Sequence, residues 1–449
     1  MMGANERSAK FRSATWGSRR FHFIGIGGAG MSGLALVCRG LGAKVGGSDR
    51  AESSYMERLR SAGIEVAVGH DASNLPAEAE VVVSTAIASD NPELELARRR
   101  GLSVRHRGEL LAELCGGKRL IAVAGTHGKT TTAAMVTWAL RASGADPAFF
   151  IGGEVPGLGP DGAVANAGWG EGEWAVAEAD ESDASFLELR PEVAVVTNIE
   201  MDHHSRWGSV AELRRAFARF VAPAEALAAP PAVLDVLEGF AGRAGRFDAS
   251  SPGPLQLALS VPGRHNLLNA RAALAGLELA GEDVVAAAGT IADFPGVRRR
   301  LELRGERDGA RIYDDYGHHP TEVRAALSAL RELEPRHLIA VFQPHLYSRT
   351  KAFAEEFGGA LALADEAAVL DVYPAREEPV GELAGVSGLM VARAAADRME
   401  GRAVSWIPDA DRAAAVLARR LTPGAVLVTI GAGDVFRLAD ALVEKGEHT

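Results

Sequence analysis

The stretch at residues 120–140 constrains the fold of this chain more than any other part of the sequence. Five apolar residues at 120–124 predict a buried strand, and residues 125–129 are too rich in glycine to continue it. From Thr130 onward the Ala-, Met- and Leu-rich sequence predicts a helix. A strand, a glycine loop, a Lys-Thr pair and a helix together cradle phosphate groups, because backbone N–H groups and the helix N-terminus point at the anion. The stretch therefore predicts a nucleoside triphosphate site.

Two residues at the start of that helix carry the chemistry expected of such a site. Lys129 is expected to reach the terminal phosphates, and the Thr130 hydroxyl is expected to hold Mg²⁺. The usual spacing puts a further glycine five residues before Gly128, and this chain has Val123 there. The loop is therefore a shortened one. A chance match is the alternative, and Gly-Lys-Thr between a strand and a helix argues against it.

Composition narrows the class of protein. The chain has 449 residues, 47% of them hydrophobic and 24% charged, as in a soluble globular protein of several domains. A net charge of -11 argues against a nucleic-acid partner, which would need a basic face. Cys38 and Cys115 are the only cysteines, so there is no disulfide framework, which fits a reducing cytoplasm. The longest uncharged run, residues 22–38, contains five glycines, which argues against a membrane span.

The first twenty residues carry five basic side chains and one acid, Glu6. We expect residues 1–20 to form a disordered tail, with a transit peptide as the alternative. Removal of residues 1–19 is accordingly expected to leave the activity and the melting temperature unchanged.

A second glycine-rich turn follows the first predicted strand and opens a helix. It has the pattern G-x-G-x-x-G, and Asp49 ends the next strand 24 positions after its first glycine. Its glycines are Gly25, Gly27, Gly28 and Gly30. A Rossmann unit places its ribose contact at such an acid, so residues 21–108 are predicted to form a doubly wound domain. The alternative is a glycine-tolerant turn in an α/β domain that binds no ligand there.

Acids and histidines follow two predicted strands beyond the phosphate loop. Because ligands gather at the carboxyl ends of strands in α/β sheets, Glu178 and His203 are predicted Mg²⁺ ligands, with Asp202 as a supporting partner. Glu181 and Asp183 follow the same strand as Glu178, and we expect them to cap the next helix or lie in solvent.

The remaining sequence divides into two parts. The second domain is predicted to cover residues 109–295, and within it Asn266 and Asn269 share one face of a helix. A turn and a basic run that includes Arg300 open a third α/β unit at residues 296–449. There, apolar strands again end in polar residues, which predicts a crevice of contacts along one edge of a sheet.

These motifs, in this order, resemble the Mur ligase family of cell-wall precursor synthesis. They lie at residues 25–33, 124–132, 178–186, 263–266, 314–320 and 342–345. The resemblance implies an α/β fold of three domains. The N-terminal domain would be Rossmann-like and hold a UDP-sugar, the central one would be a phosphate-loop ATPase with a mostly parallel sheet, and the C-terminal one would again be Rossmann-like.

The resemblance also implies an ATP-dependent acid–amino-acid ligase. It would join L-alanine to the lactyl carboxylate of UDP-N-acetylmuramate through an acyl phosphate, with Mg²⁺ as cofactor, in the cytoplasm. The implied partners are these three substrates, with no nucleic acid and no membrane, and the chain would be a monomer or a homodimer. The alternative is a relative that attaches a whole tripeptide to the same sugar nucleotide, and residues 343–345 and 315–318 favour alanine. A dinucleotide sensor or an NAD(H) oxidoreductase would not require Lys129 and Glu178.

Site residues follow from the same resemblance. Those implied for catalysis are Lys129, Glu178, His203, Arg300 and Asp315. Those implied for ATP are Gly125, Thr126, His127, Gly128, Lys129, Thr130, Thr131, Asn266, Asn269, Arg300 and Asp315. Those implied for the UDP-sugar are Gly25, Gly27, Gly28, Gly30, Asp49, Ser84 and Arg107. Those implied for the amino acid are His345, Tyr347 and Arg376, and those for the metal are Thr130, Glu178 and His203.

The sequence departs from the family pattern at two places. His203 is followed by His204 rather than by the family's usual residues, and residues 221–262 form a shorter stretch, so we expect central-domain strands to be missing there. The general base stays open among His203, His318 and His319.

Overall fold

The computed structural model describes residues 16–201, 206–248, 257–375 and 377–444. The chain divides into two compact units, one formed by residues 1–258 and 268–294 and the other by residues 259–267 and 295–449. Each unit is built from mostly parallel sheet and helices, and the first unit contains two sheets. The fold is therefore α/β with three sheets, as the resemblance implied. None of the helices in the described part of the chain combines the length and the apolar content that a membrane crossing requires.

The N-terminal sheet has five parallel strands in the order β3-β2-β1-β4-β5. Its strands are β1 Arg20–Ile24, β2 Lys44–Asp49, β3 Glu65–Val68, β4 Glu80–Val83 and β5 Val104–His106. Its helices are α1 Ala29–Gly40, α2 Ser54–Ser61, α3 Pro92–Arg99 and α4 Arg107–Cys115. The strand order reverses at β1, and the glycine turn at residues 25–28 lies at the carboxyl end of that strand. This is the topological position where doubly wound sheets bind their ligands.

The central sheet has seven strands in the order β12-β11-β10-β6-β9-β7-β8, and all pairs except β7–β8 are parallel. Its strands are β6 Arg119–Ala124, β7 Ala148–Val155, β8 Ala165–Gly168, β9 Trp174–Glu178, β10 Val193–Val196, β11 Ala226–Ala229 and β12 Arg243–Arg246. The helices of this region are α5 Lys129–Ala142, α6 Val210–Val221, α7 Pro231–Val236, α8 Arg264–Ala280 and α9 Val284–Ala292. Because helices cover both faces, the inner strands are continuous apolar runs rather than alternating ones. The short stretch at residues 221–262 still contributes β11 and β12.

The sheet of the second unit has six strands in the order β13-β14-β18-β15-β16-β17, with β13 antiparallel to its neighbour. Its strands are β13 Glu302–Arg307, β14 Ala310–Asp315, β15 His337–Phe342, β16 Glu366–Val369, β17 Ala403–Trp406 and β18 Ala425–Ile430. Its helices are α10 Pro320–Arg331, α11 Tyr347–Leu361, α12 Gly388–Ala396, α13 Ala410–Leu417 and α14 Phe436–Glu444. Two apolar clusters, one on each face of this sheet, form the core.

The structure near the start of the chain differs from the disordered tail that the sequence predicted. Residues 1–15 lie outside the described part, but Trp16–Ser18 form a 3-10 helix and the Trp16 side chain is only 2% exposed. The Arg19 guanidinium lies 4.5 Å from the centre of the Trp16 ring and donates to the carboxylates of Glu80 and Glu113 at 2.6 Å. The prediction of disorder over residues 1–20 is therefore wrong for residues 16–20. Composition gave no sign that one tryptophan in a basic stretch packs into the core.

Candidate active site

The phosphate loop connects β6 to α5, and two of its glycines have no room for a side chain. Gly125 has φ +136°, and a Cβ there would lie 2.0 Å from Thr197 Oγ1. Gly128 has φ +81°, and a Cβ there would lie 2.3 Å from Asn269 Oδ1. Both backbone conformations favour glycine, and both close contacts demand it. The loop is thus confined between the end of β10 and α8.

Lys129 is the first residue of α5, and its ammonium group folds back over the loop. Its Nζ donates to the carbonyl oxygens of Gly125 at 2.6 Å and Thr126 at 3.1 Å, and it lies 2.9 Å from Glu181 Oε2. Burial opposes the charge on Lys129, but the nearby carboxylates of Glu181, Asp180 and Glu178 outweigh it and raise the pKa of Lys129. The lysine is therefore held charged beside the helix N-terminus.

The acids after β9 surround this lysine. Burial raises the pKa of Glu181 to about 7, because the desolvation of its carboxylate and the charge of Asp180 together exceed the stabilisation from Lys129. Asp180 is buried as well, yet the charges of Lys129 and Arg107 hold its pKa below the usual range. We expected Glu181 and Asp183 to cap a helix or lie in solvent. That is wrong for Glu181, whereas Asp183 Oδ1 does accept from the Ser185 N–H, at the start of the 3-10 helix Ser185–Glu188, at 2.9 Å. Glu181 is 1% exposed, and Asp183 accepts from Arg107 at 2.8 Å.

Thr130 and Glu178, two predicted metal ligands, lie next to each other. The Thr130 hydroxyl donates to Glu178 Oε1 at 3.0 Å, and Glu178 Oε2 accepts from the Gly152 backbone N–H at 2.7 Å. A Cβ at Gly152 would lie 2.6 Å from that oxygen, so only glycine leaves room for the carboxylate. Hydroxyl and carboxylate oxygens are the ligands that Mg²⁺ prefers, so this pair fits the ion. The third predicted ligand, His203, lies outside the described residues.

The glycine turn of the N-terminal domain is held by the end of β2. The backbone N–H groups of Gly25 and Ile26 donate to the Ser48 carbonyl oxygen, and that of Gly27 donates to Asp49 Oδ2 at 2.8 Å. Asp49, predicted to contact a ribose, therefore also fixes the turn itself. Gly28, the residue before α1, has extended backbone angles. Ser84, in the loop after β4, accepts weakly from the Ala86 N–H at 3.4 Å.

Arg107 connects this turn to the acids of the central domain. Its Nη2 donates to Asp180 Oδ2 and Asp183 Oδ2, both at 2.8 Å. Its Nη1 would lie 2.9 Å from a Cβ at Gly30, so the guanidinium packs directly against α1. Burial disfavours its charge, and the two aspartates more than compensate and raise the pKa of Arg107. Arg107, predicted to bind the UDP-sugar, thus contacts Asp180, whose charge also acts on Lys129.

The remaining predicted residues of the ATP site are buried at different places. Thr131 is 7% exposed in α5, and Asn269 is 8% exposed with its amide against Gly128. Asn266 is 5% exposed and donates to the Pro262 carbonyl oxygen at 2.7 Å. His127 lies in the loop, where its Nε2 is 3.4 Å from Glu200 Oε2.

In the second unit, Asp315 organises the segment that carries Arg300. Its two carboxylate oxygens accept from the backbone N–H groups of Leu301 at 2.9 Å and Gly317 at 2.8 Å. Burial raises the pKa of Asp315 to about 6 against the opposing charge of Arg300. Arg299 and Leu301, on either side of Arg300, have φ +61° and +48°, which is strained backbone for residues with side chains. Strain of this kind occurs preferentially at functional sites.

His345 and Tyr347 lie in the turn between β15 and α11. The His345 ring stacks on Tyr373 with a centroid distance of 5.8 Å, and its centroid is 5.9 Å from that of His318. Tyr347 opens α11, and the Nη1 atom of Arg349, two residues later in the same helix, lies 3.3 Å from His345 Nδ1. These contacts place one imidazole between two aromatic rings at the carboxyl edge of the sheet. Arg376 lies outside the described residues.

The fold and this site define a class: an α/β protein with a phosphate loop, an oxygen pair suited to a divalent ion, and a glycine turn on a neighbouring sheet. The chain belongs to the Mur ligase family. The family's catalytic domain matches residues 20–119, its middle domain matches residues 123–230, and its glutamate ligase domain matches residues 299–433.

Named relatives resemble the chain over nearly its full length. It is 44% identical over 458 residues to the UDP-N-acetylmuramate--L-alanine ligase of Renibacterium salmoninarum, with 95% of each chain covered. The crystal structure of UDP-N-acetylmuramate-alanine ligase from Thermotoga maritima has a TM-score of 0.82 at 28% identity and covers 95% of this chain and 99% of that one. A murein peptide ligase from Psychrobacter arcticus has a TM-score of 0.70 at 26% identity with the same coverage.

Proposed function

We propose that this chain joins L-alanine to the lactyl carboxylate of UDP-N-acetylmuramate at the expense of ATP, in peptidoglycan precursor synthesis. The observation that carries the proposal is the meeting of Lys129, Thr130 and Glu178 at one phosphate loop. It occurs in a chain that resembles ligases of this name over 95% of its length. We further propose that the chain works in the cytoplasm, where a reducing environment suits its two free cysteines, Cys38 and Cys115, and that it is a monomer or homodimer.

The chemistry requires that a carboxylate be activated, because a carboxylate is a poor acyl donor. Transfer of the terminal phosphoryl group of ATP to the lactyl carboxylate gives an acyl phosphate and ADP. The neutral amine of L-alanine then attacks the acyl carbon, and the tetrahedral intermediate expels phosphate. Lys129 contributes a fixed positive charge where the phosphoryl oxygens carry the developing negative charge.

Thr130 and Glu178 would hold Mg²⁺ through their oxygens, with His203 as the third ligand that the resemblance implies. A bound divalent ion supplies charge that offsets the negative charge on the phosphoryl oxygens. The part of the site visible in the structure already orients these oxygens, because Glu178 is held from both sides by Thr130 and by the Gly152 N–H.

The substrates divide among the domains. The UDP-sugar would lie at the glycine turn beside Asp49, Ser84 and Arg107, in the domain at residues 21–108. Asn266, Asn269, Arg300 and Asp315 would complete the ATP site. L-alanine would bind to His345, Tyr347 and Arg376. The planar guanidinium of Arg376 would bind both oxygens of the alanine carboxylate. His203, His318 and His319 remain the candidates for the base that accepts the amine proton.

The test is phosphate release with purified protein, ATP, Mg²⁺ and UDP-N-acetylmuramate, with single amino acids or a tripeptide added separately. We expect release with L-alanine and a product heavier than the UDP-sugar by one alanyl residue. Competition between L-alanine and the tripeptide in one reaction separates this activity from that of a peptide ligase. Release that depends on the tripeptide and not on alanine would overturn the proposal.

A further inference from the structure

Asn198, two residues beyond β10, is hydrogen-bonded through its side-chain amide to the middle of the phosphate loop. Asn198 Nδ2 donates to the His127 carbonyl oxygen at 2.9 Å, and Asn198 Oδ1 accepts from the His127 backbone N–H at 2.9 Å. One peptide-like group thus pairs with both polar groups of a single loop residue, as a neighbouring strand would, although β10 has ended at Val196.

Four further hydrogen bonds join the same two segments. The Thr126 N–H donates to the Asn198 carbonyl oxygen at 3.2 Å, and the Thr197 hydroxyl donates to the His127 carbonyl oxygen at 2.6 Å. The Thr126 hydroxyl lies 2.9 Å from both the backbone nitrogen and the carbonyl oxygen of Glu200. Residues 197–200 therefore hold residues 126–127 in place through hydrogen bonds.

The shortness of the phosphate loop explains why these hydrogen bonds are needed. The glycine that usually begins such a loop is replaced by Val123, which is fully buried inside β6, so only residues 125–128 remain to form the turn. A short glycine loop has high conformational entropy, and each ordered residue costs about 1–2 kcal/mol of backbone freedom. Bonds that order the loop before the nucleotide arrives remove that cost from binding.

We propose that Asn198 is a positioning residue for ATP: its amide fixes the phosphate loop so that the first turn of α5 and Lys129 face the phosphates. The His127 N–H is bonded to Asn198, so contacts with the anion fall to the N-terminal turn of α5, whose leading N–H groups have no intrahelical partner. Asn198 itself does not touch the reacting atoms. The inference rests on the proposed function, because it assigns a role at the same ATP site.

The structure offers a matched pair of variants. Asn198→Ala removes both side-chain bonds to His127, and the residue is only partly buried, so the protein should still fold. Asn166→Ala removes two bonds of a buried asparagine in the same compact unit, one donated to the Ala29 carbonyl oxygen and one accepted from Arg58. Thr197→Val removes the other donor to His127 while keeping the branched shape of the side chain.

The measurements are the Kd for ADP by calorimetry and the KM for each substrate in the phosphate-release assay. Asn198→Ala should raise the Kd for ADP and the KM for ATP by roughly ten-fold to a hundred-fold, the loss of two hydrogen bonds that order the loop. Thr197→Val should raise both by about three-fold to ten-fold. For Asn198→Ala, the KM values for UDP-N-acetylmuramate and L-alanine should stay within about two-fold of wild type, because those ligands meet other residues.

Asn166→Ala should lower the melting temperature and leave the Kd for ADP unchanged. A purely structural Asn198 would behave in the same way, with a lower melting temperature and an unchanged Kd for ADP, and that result would overturn the inference. Equal rises in all three KM values would do the same. The proposed function fails separately, if wild-type protein binds ADP but releases no phosphate in response to L-alanine.

Discussion

Lys129 Nζ lies 2.9 Å from Glu181 Oε2, and the glutamate is 1% exposed. Lys129 is surrounded by three carboxylates, because Asp180 and Glu178 also act on its charge. The cation that we assign to phosphoryl transfer therefore has a second task in the nucleotide-free protein, which is to compensate buried carboxylates. Phosphoryl transfer and the stability of the folded protein therefore both depend on the Lys129 ammonium group.

Lys129→Met should abolish alanine-dependent phosphate release and also destabilise the protein. Removing one partner of a buried ion pair leaves an uncompensated charge, at a cost of about 3 kcal/mol or more. The Kd for UDP-N-acetylmuramate should change little, because that ligand binds the N-terminal domain. Phosphate release and chemical denaturation measure the two effects. Turnover above about a tenth of wild type would contradict the assignment of Lys129.

The double variant Lys129→Met with Glu181→Gln separates the two tasks. Because it removes the cation and the neighbouring charge together, it should recover most of the lost stability and none of the activity. A double variant as unstable as Lys129→Met would show that the loss comes from packing of the lysine chain rather than from the acids.

The raised pKa of Glu181 predicts a dependence of stability on pH. The value is about 7 in the folded protein against 4.5 for an ordinary glutamate, so the folded state binds this proton more tightly than the unfolded state. The stabilisation is fully present below about pH 4.5 and is lost as the pH rises through about 7. Lys129 and Asp180, the charged neighbours, do not titrate in that window.

Between pH 5 and 7.5 the free energy of unfolding of wild type should therefore fall relative to that of Glu181→Gln. The expected difference is on the order of 2 kcal/mol, from 1.36 kcal/mol per pKa unit. Denaturant titrations of both proteins at several pH values measure it. Parallel pH profiles would show that Glu181 has an ordinary pKa.

Trp16→Ala should destabilise the N-terminal domain by about 3 kcal/mol, because it empties a fully buried aromatic site. The ring is 2% exposed and packs against Phe21 at a centroid distance of 5.9 Å. Arg20→Ala, at an exposed position four residues later, is the control and should change stability by less than about 0.5 kcal/mol. Equal melting temperatures for wild type and Trp16→Ala would restore the expectation that residues up to 19 are dispensable.

The sequence predicted the parts of this fold that depend on local pattern. The apolar run at residues 120–124, the glycine loop and the helix from Lys129 form as expected, because buried parallel strands and helix starts have local signatures. The oxygen pair Thr130–Glu178 was also predictable, since the carboxyl ends of parallel strands meet at one edge.

The contacts that depend on the tertiary structure were not predictable from pattern. Glu181 and Asp183 are ordinary acids in a loop until the fold brings Lys129 and Arg107 to them. Trp16 is one aromatic in a basic stretch until β1 places Phe21 beside it. Asn198 is a polar residue after a strand, and only the structure shows that its amide faces His127. Each depends on pairing across 5 to 76 positions of sequence, which hydrophobic periodicity does not encode.

The last prediction concerns Arg299 and Arg300, neighbours in sequence with opposite roles. Arg299 is anchored: its Nε donates to Asp314 at 3.0 Å, its Nη2 donates to the Gly431 carbonyl oxygen at 2.7 Å, and its guanidinium lies 4.6 Å from the Phe436 ring centre. Arg300 has looser contacts: its Nη1 is 3.7 Å from Glu322 Oε1, its guanidinium is 5.3 Å from the Tyr316 ring centre, and its side chain is 30% exposed. The structure thus predicts that the first arginine holds the strained turn and the second is presented to ATP.

Arg299→Lys and Arg300→Lys test this division, because both keep the charge and lose the planar fork. Arg299→Lys should lower the stability of the second unit by about 1–3 kcal/mol, the worth of charge-assisted hydrogen bonds to buried partners. Arg300→Lys should raise the KM for ATP about ten-fold or more and leave the denaturation midpoint unchanged. Denaturation curves and ATP titrations at saturating UDP-N-acetylmuramate and L-alanine separate the two. If Arg300→Lys lowered stability as much as Arg299→Lys and left the KM for ATP unchanged, Arg300 would be a second anchor of the turn and not a ligand of ATP.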